Sequence, residues 1–241
     1  ALGLEARSKG INIILGPAIN IKRSPLCGRN FEYFSEDPYL TGILGSMYVN
    51  GVQSENVGVC VKHFACNNQE NRRMTVNVVV DERTLREIYL KAFQMIVKNS
   101  KPWSIMSAYV RLNGVYCTEN KYLLDDILRK EWGFNGIVIS DWGAENDRVS
   151  GIKAGQELEM PAGSGDGVNE IINAVKSGEI KESELDKIVD RILTIALRGK
   201  NNKIKQYNQE KHHKLAEEIA EDAIVLLKNE NNILPISKNK K

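Results

Sequence analysis

No stretch of the 241 residues approaches the ~18 to 20 uninterrupted apolar residues that a membrane helix needs, so a membrane-spanning helix is not expected. A charged-then-apolar leader is also missing, because the sequence opens directly on Ala1-Leu2-Gly3-Leu4. Those residues look like the closing turns of an amphipathic helix, and with no initial methionine an upstream segment is expected; the working placement is cytoplasmic. Cysteine is sparse: Cys27, Cys60, Cys66 and Cys117 never form a C-x-x-C pair. Neither a disulfide framework nor a zinc ribbon follows, and reduced thiols acting as small hydrophobes are expected. Charge of one sign is lacking, with 33 Lys+Arg against 31 Asp+Glu and a net +2. That field is too weak to argue for a nucleic-acid or membrane-surface partner. No G-x-G-x-x-G or G-x-x-x-x-G-K-[ST] run is present, so an open nucleotide-binding sheet lacks its phosphate loop.

What is present is a globular composition, 42% hydrophobic and 27% charged, which excludes disorder, collagen-like repeats and a coiled-coil rod. Five short apolar runs bounded by glycine or proline predict strands: 11–15, 57–64, 103–109, 136–141 and 157–160. Their continuous rather than alternating hydrophobicity suits parallel strands covered on both faces. Helical patterns lie between them. Asp37-Pro38 predicts a capped helix whose inward stripe is Leu40, Ile43, Leu44, Met47 and Val52. Asp81 opens the next, with Leu85, Ile88, Tyr89, Ala92, Phe93 and Ile96 at spacings of three and four. Leu123, Leu124, Ile127 and Leu128 mark a helix stopped by Gly133, and Val168, Ile171, Ile172 and Val175 one stopped by Gly178. Ser183 to Asp186 resembles a capping box, followed by Leu185, Ile188, Val189, Ile192, Leu193 and Ala196 on one face. After Gly199 the composition turns to Asn, Lys and Gln, which divides the chain into a 1–199 barrel portion and a 200–241 linker, terminal helix and polar end at 238–241.

Two α/β architectures fit this alternation, an open doubly wound sheet or part of a (β/α)₈ barrel. A barrel carries its chemistry on the carboxyl ends of several strands, and that is where the polar residues fall. The strand 136–140 ends in Asp141-Trp142-Gly143, 57–61 in Lys62-His63-Phe64, and 104–108 in Tyr109. The first strand runs past Gly16-Pro17 into a loop carrying Arg29 and Glu32. A carboxylate, cations and aromatic walls on one face suit a polyhydroxylated ligand, whose hydroxyls need fixed donors and acceptors while its apolar face stacks on a ring.

The segments Gly28 to Pro38 (G-R-N-F-E-Y-F-S-E-D-P), Lys62-His63-Phe64, Met106-Ser107-Ala108-Tyr109, Ser140-Asp141-Trp142 and Leu158-Glu159-Met160-Pro161 resemble the β-glucosidase branch of glycoside hydrolase family 3. The resemblance runs over nearly the whole chain, and Val225 to Pro235 is similar to the passage into that family's second domain. It implies an incomplete (β/α)₈ TIM-type barrel and a retaining exo-glycosidase acting on terminal β-D-glucosyl residues without metal or organic cofactor. Asp141 is then the nucleophile, with Arg29, Lys62, His63 and Tyr109 on sugar hydroxyls and Met106 and Trp142 lining the subsite. Cations near a nucleophilic carboxylate favour its charged form. The general acid/base, about 5 to 5.5 Å from the nucleophile in a retaining enzyme, is implied to be a glutamate on the following domain, supplied by the remaining domain or another chain. A subgroup that uses histidine within K-H-F-P-G-H-G does not match, since Lys62-His63-Phe64 continues into Ala65-Cys66-Asn67. A further sugar-binding aspartate of the family has no counterpart here.

Plainer roles stand beside these. Asp141 as a helix N-cap, His63 as a satisfied core histidine, Arg29 paired with Glu32 or Glu36, and Met106, Tyr109 and Trp142 as core filler each fit the local sequence. Glu157 and Glu159 look like rim or loop-pinning residues rather than the missing acid. The competing functions are a β-xylosidase of the same family, a Schiff-base lyase using Lys62, and a sugar-binding fragment without catalysis.

Overall fold

All five apolar runs meet in one parallel ladder in the computed structural model, which describes residues 1–162, 166–200 and 203–238. In chain order, α1 (Leu2–Ser8) precedes β1 (Ile13–Ile14), α2 (Pro38–Gln53), β2 (Gly58–Phe64) and β3 (Asn77–Val78). Next come α3 (Glu82–Thr84), a π-helical stretch at Leu85–Tyr89, α4 (Lys91–Ser100), β4 (Ser104–Ser107), β5 (Arg111–Leu112) and β6 (Val115–Tyr116). A second π-helical segment, Tyr122–Glu131, leads to β7 (Ile137–Ser140), α5 (Arg148–Ala154), α6 (Asp166–Lys176), α7 (Glu182–Lys200) and α8 (Gln209–Ala223).

The main sheet orders its strands β1-β2-β4-β7, all parallel. The fifth run contributes a single parallel bridge, Leu158 to Ile139, extended by Ser140 N–H donating to Leu158 O at 2.8 Å. Spatial order follows chain order with no reversal, which is the winding of a (β/α) barrel wall and not of a doubly wound sheet with its switch point. Among the described residues this wall does not close on itself. Both faces are covered, as the unbroken apolar runs require. Val59, Val61, Ile105 and Val138 pack outward under Phe93, Ile96, Leu124 and Ile127, while Cys60, Met106, Ile137 and Ile139 form a cluster on the opposite face with Ile195 of α7. A small second sheet orders β3-β5-β6, with β5 and β6 joined by the Asn113-Gly114 turn, where both residues have positive φ.

Several local expectations need correcting. Asp37 does cap α2, accepting from Tyr39 N at 2.7 Å, yet the inward face is Thr41, Gly42, Gly45, Ser46, Val49 and Val52, while Leu40, Leu44 and Met47 are exposed. The reason is the close approach of α2 to α4. A Cβ on Gly42 would fall 2.7 Å from Met95 Sδ, and one on Gly45 2.4 Å from Ile96 Cδ1. Only small side chains fit that contact, so the bulky residues turn outward. In α7 the buried stripe runs Ile188, Ile195 and Gly199, leaving Val189 and Leu193 exposed. The helix starts at Glu182, one residue before the expected capping box, and Glu184 reaches back to accept from Lys181 N at 2.9 Å instead of Asp186 to Ser183. In α6, Val168 and Ile172 are exposed.

The four cysteines are buried and free, and burial pushes the Cys60 and Cys117 thiols up to about 12. No described helix is long and apolar enough to cross a membrane. Of the linker and polar end read from composition, positions 201–202 and 239–241 lie outside the described residues.

Candidate active site

Because the strands are parallel, the polar residues that end them share one rim. Lys62 and His63 close β2, Tyr109 follows β4, and Asp141 follows β7. Ladder hydrogen bonding continues into the rim, with Asp141 N donating to Ser107 O at 3.2 Å, so the carboxylate is carried on the sheet itself. Its side chain is buried. Oδ1 accepts from Trp142 N at 2.8 Å, whereas among the described residues Oδ2 has no hydrogen-bond partner. The nearest opposing group is His63 Nε2, 3.5 Å from Oδ2. Asp141 does not cap the following helix, since Asp147 takes that role on α5 by accepting from Ser150 N.

His63 is 1% exposed. Burial first, and then the charges of Arg29, Lys62 and Arg73, hold its pKa well below the ordinary imidazole value. Three cations therefore surround this corner. Arg29 pairs with Glu32 Oε1, and Lys62 Nζ lies 3.5 Å from Glu32 Oε2, so one carboxylate anchors both. The local pairing of Arg29 with Glu32 foreseen as the plain alternative is real. Tyr109 donates to Trp142 O at 3.0 Å, and its hydroxyl pKa is raised by burial and by the Asp141 carboxylate. Trp142, next to Asp141 at the rim, is 42% exposed. Met106 sits lower: it is the ladder partner of Ile139, two residues before Asp141, and lies in the apolar cluster one layer beneath the carboxylate.

Two residues of this corner carry no signal that sequence reasoning used. Arg73 stacks its guanidinium 4.6 Å from the Tyr109 ring centroid and pairs with Glu70 at 2.8 Å. It comes from the loop after β2, where no periodicity marks it. Asn20, 2% exposed, bonds to both backbone polar atoms of His63. Glu157 is accounted for structurally, clamped by Arg129 at 2.5 Å and Arg191 at 2.8 Å and accepting from Val138 N.

A depression of about 260 Å³ beside Lys62 and Glu32 is lined by Gly16, Pro17, Phe34 and Tyr48. A larger cavity of about 470 Å³ opens near Trp132 and Gly136, at the amino ends of β4 and β7. Convergent chemistry favours the first end, where barrel enzymes place their reacting groups. Among the described residues no cluster of His, Cys, Asp and Glu fits a metal ion.

Residues 1–195 match the family described as "Glycosyl hydrolase family 3 N terminal domain". "Thermostable beta-glucosidase B" of Acetivibrio thermocellus is 54% identical over 241 residues, covering 99% of this chain and 32% of that protein. "Exo-alpha-(1->6)-L-arabinopyranosidase" of Bifidobacterium breve is 44% identical over 245 residues, covering 98% of this chain and 31% of that protein. Beta-glucosidase 3B of Thermotoga neapolitana in complex with glucose superposes with a TM-score of 0.93 at 49% identity, covering 99% of this chain and 35% of that one. The chain thus spans about a third of the length of the curated relatives it matches.

Proposed function

Since the chain belongs to glycosyl hydrolase family 3 through its N-terminal domain, we propose that it is the nucleophile-bearing barrel portion of a retaining exo-β-glucosidase. Residues 1–199 form that portion, and residues 200–241 lead toward a further domain. The observation that carries this is the Asp141 carboxylate: buried at the rim of the parallel sheet, held at Oδ1 by a backbone amide, and without a partner at Oδ2 among the described residues.

An oxygen so placed is available for in-line attack on an anomeric carbon, giving a glycosyl ester and releasing the aglycone as its oxygen takes a proton from the general acid. Water then cleaves the ester, returning the carboxylate. Arg29, Lys62, His63 and Arg73 hold hydroxyls around the reacting carbon, where such bonds strengthen as positive charge develops on the ring. Trp142 and Tyr109 supply the aromatic wall, and Met106 the floor. The acid/base comes from the remaining domain or another chain.

The names of its relatives support a β-glucosyl substrate. A pentopyranoside, including the β-xylosides of the alternative expectation, is the second substrate class, favoured by the arabinopyranosidase relatives at 44% identity. The lyase alternative is disfavoured because Lys62 is engaged with Glu32 instead of lying desolvated in an apolar pocket.

Full-length protein incubated with a 2-deoxy-2-fluoro-β-glucoside should accumulate a sugar ester on the peptide containing Asp141. Asp141→Asn should lower kcat by roughly three or more orders of magnitude, the scale seen when a nucleophile is removed. A label on another carboxylate, or parent-like hydrolysis by the Asn variant, refutes the proposal.

A further inference from the structure

Asn20 spends its whole side chain on one residue. It follows β1 on a segment paired with β2, where Ile19 N donates to Lys62 O at 2.8 Å and Lys62 N to Pro17 O at 3.0 Å. Its Nδ2 donates to His63 O at 2.9 Å, and its Oδ1 accepts from His63 N at 2.9 Å. These two bonds settle which amide atom is which, since the flipped amide would set donor against donor and acceptor against acceptor. The same Oδ1 lies 3.3 Å from His63 Nδ1. An amide oxygen only accepts, so the contact is favourable when Nδ1 carries the proton.

The groups facing the ring decide its charge. Arg29 and Tyr33 come from the loop after β1, Lys62 from β2, Arg73 from the loop after β2 and Asp141 from the end of β7. Glu32 pairs with Arg29 and Lys62 and Glu70 with Arg73, yet burial first and then these three cations hold the ring's pKa well below the ordinary imidazole value and keep it neutral. A neutral ring with its proton on Nδ1 leaves Nε2 bare. That bare nitrogen faces Asp141 Oδ2 at 3.5 Å, and among the described residues Oδ2 has no hydrogen-bond donor. Two acceptors thus border the same gap.

Building on the assignment of this corner as the sugar site, we propose that Asn20 is a positioning residue that fixes His63 as the Nδ1–H tautomer. The gap between His63 Nε2 and Asp141 Oδ2 is then bordered by two acceptors, and it selects a ligand that brings its own hydroxyl protons. His63 accepts from a substrate hydroxyl instead of donating to it, and Asn20 acts only through His63.

A neutron structure of the deuterated full-length protein at neutral pH tests this without any variant. A deuteron on Nδ1 and none on Nε2 is expected, and a deuterated Nε2 overturns the proposal. The second test is the pH profile of kcat/KM in Asn20→Asp. A carboxylate against Nδ1–H stabilises the imidazolium, so the acid limb should move up by about one pH unit. An unchanged profile in a folded Asn20→Asp protein overturns the positioning role, because a merely structural asparagine would change stability without moving that limb. Failure of the glycosidase proposal shows separately, as absent fluoroglycoside labelling of Asp141, and leaves the neutron result to judge the tautomer alone.

Discussion

The contact between α2 and α4 is set by Gly45, and a double substitution measures how tightly. In Gly45→Ala the new methyl would lie 2.4 Å from Ile96 Cδ1, and Ile96 is fully buried. Alanine in a helix interior is favoured over glycine by about 0.5–1 kcal/mol, while overpacking a closed core costs about 1–3 kcal/mol. The net expectation is a loss of roughly 1–2 kcal/mol. Ile96→Val alone removes one methyl from the core and costs about 0.5–1.5 kcal/mol. That methyl is the clashing Cδ1. Once it is gone, the nearest atoms to the new Cβ are Ile96 Cγ1 at 3.3 Å and Ile19 Cγ2 at 3.4 Å, a separation that small shifts accommodate. The double variant should therefore fall within about 1 kcal/mol of the parent, with a favourable coupling of about 1–2 kcal/mol. Urea unfolding followed by tryptophan fluorescence gives all four stabilities by linear extrapolation. Additivity within about 0.5 kcal/mol, or a Gly45→Ala protein more stable than the parent, refutes steric exclusion as the reason small residues line this helix face.

Glu145 offers a test in pH. Burial raises its carboxyl to about 7, against the opposing pull of Arg148. Between about pH 4.5 and 7 the folded state keeps a proton that the unfolded state has released, so this group's contribution falls as pH rises, by about 3 kcal/mol in all. Glu145→Gln should remove that slope and equal or exceed the parent in stability at pH 8; chemical denaturation at pH 5 and 8 checks it, and equal slopes in both proteins contradict it. Glu157 offers a test in charge: Glu157→Gln leaves the buried guanidinium of Arg129 without its bidentate partner and Arg191 without its ion pair. A loss of about 3–5 kcal/mol is expected, read as a lowered unfolding midpoint, and a loss under about 1 kcal/mol would show that water compensates both cations.

The sequence by itself determined the strands and where they end. Apolar runs such as 57–64 and 136–141 can bury neither face against water, so they must sit between layers, and the polar residue that terminates each must emerge at a rim. Asp37 and Asp81 announced their helices because capping is local, a side chain reaching an amide two or three residues on. Helix faces were less legible. Leu40, Leu44 and Met47 carry the periodicity of a buried stripe, yet which face is buried depends on how closely a neighbouring helix approaches, and no window of sequence contains that distance. The site divides the same way. Motifs marked Asp141, Lys62 and His63, but Arg73 and Asn20 gain meaning only from Tyr109 and His63, which stand 36 and 43 residues away along the chain. That Asp141 Oδ1 has a donor while Oδ2 finds none among the described residues is a property of three-dimensional packing, since it depends on what distant segments bring within reach.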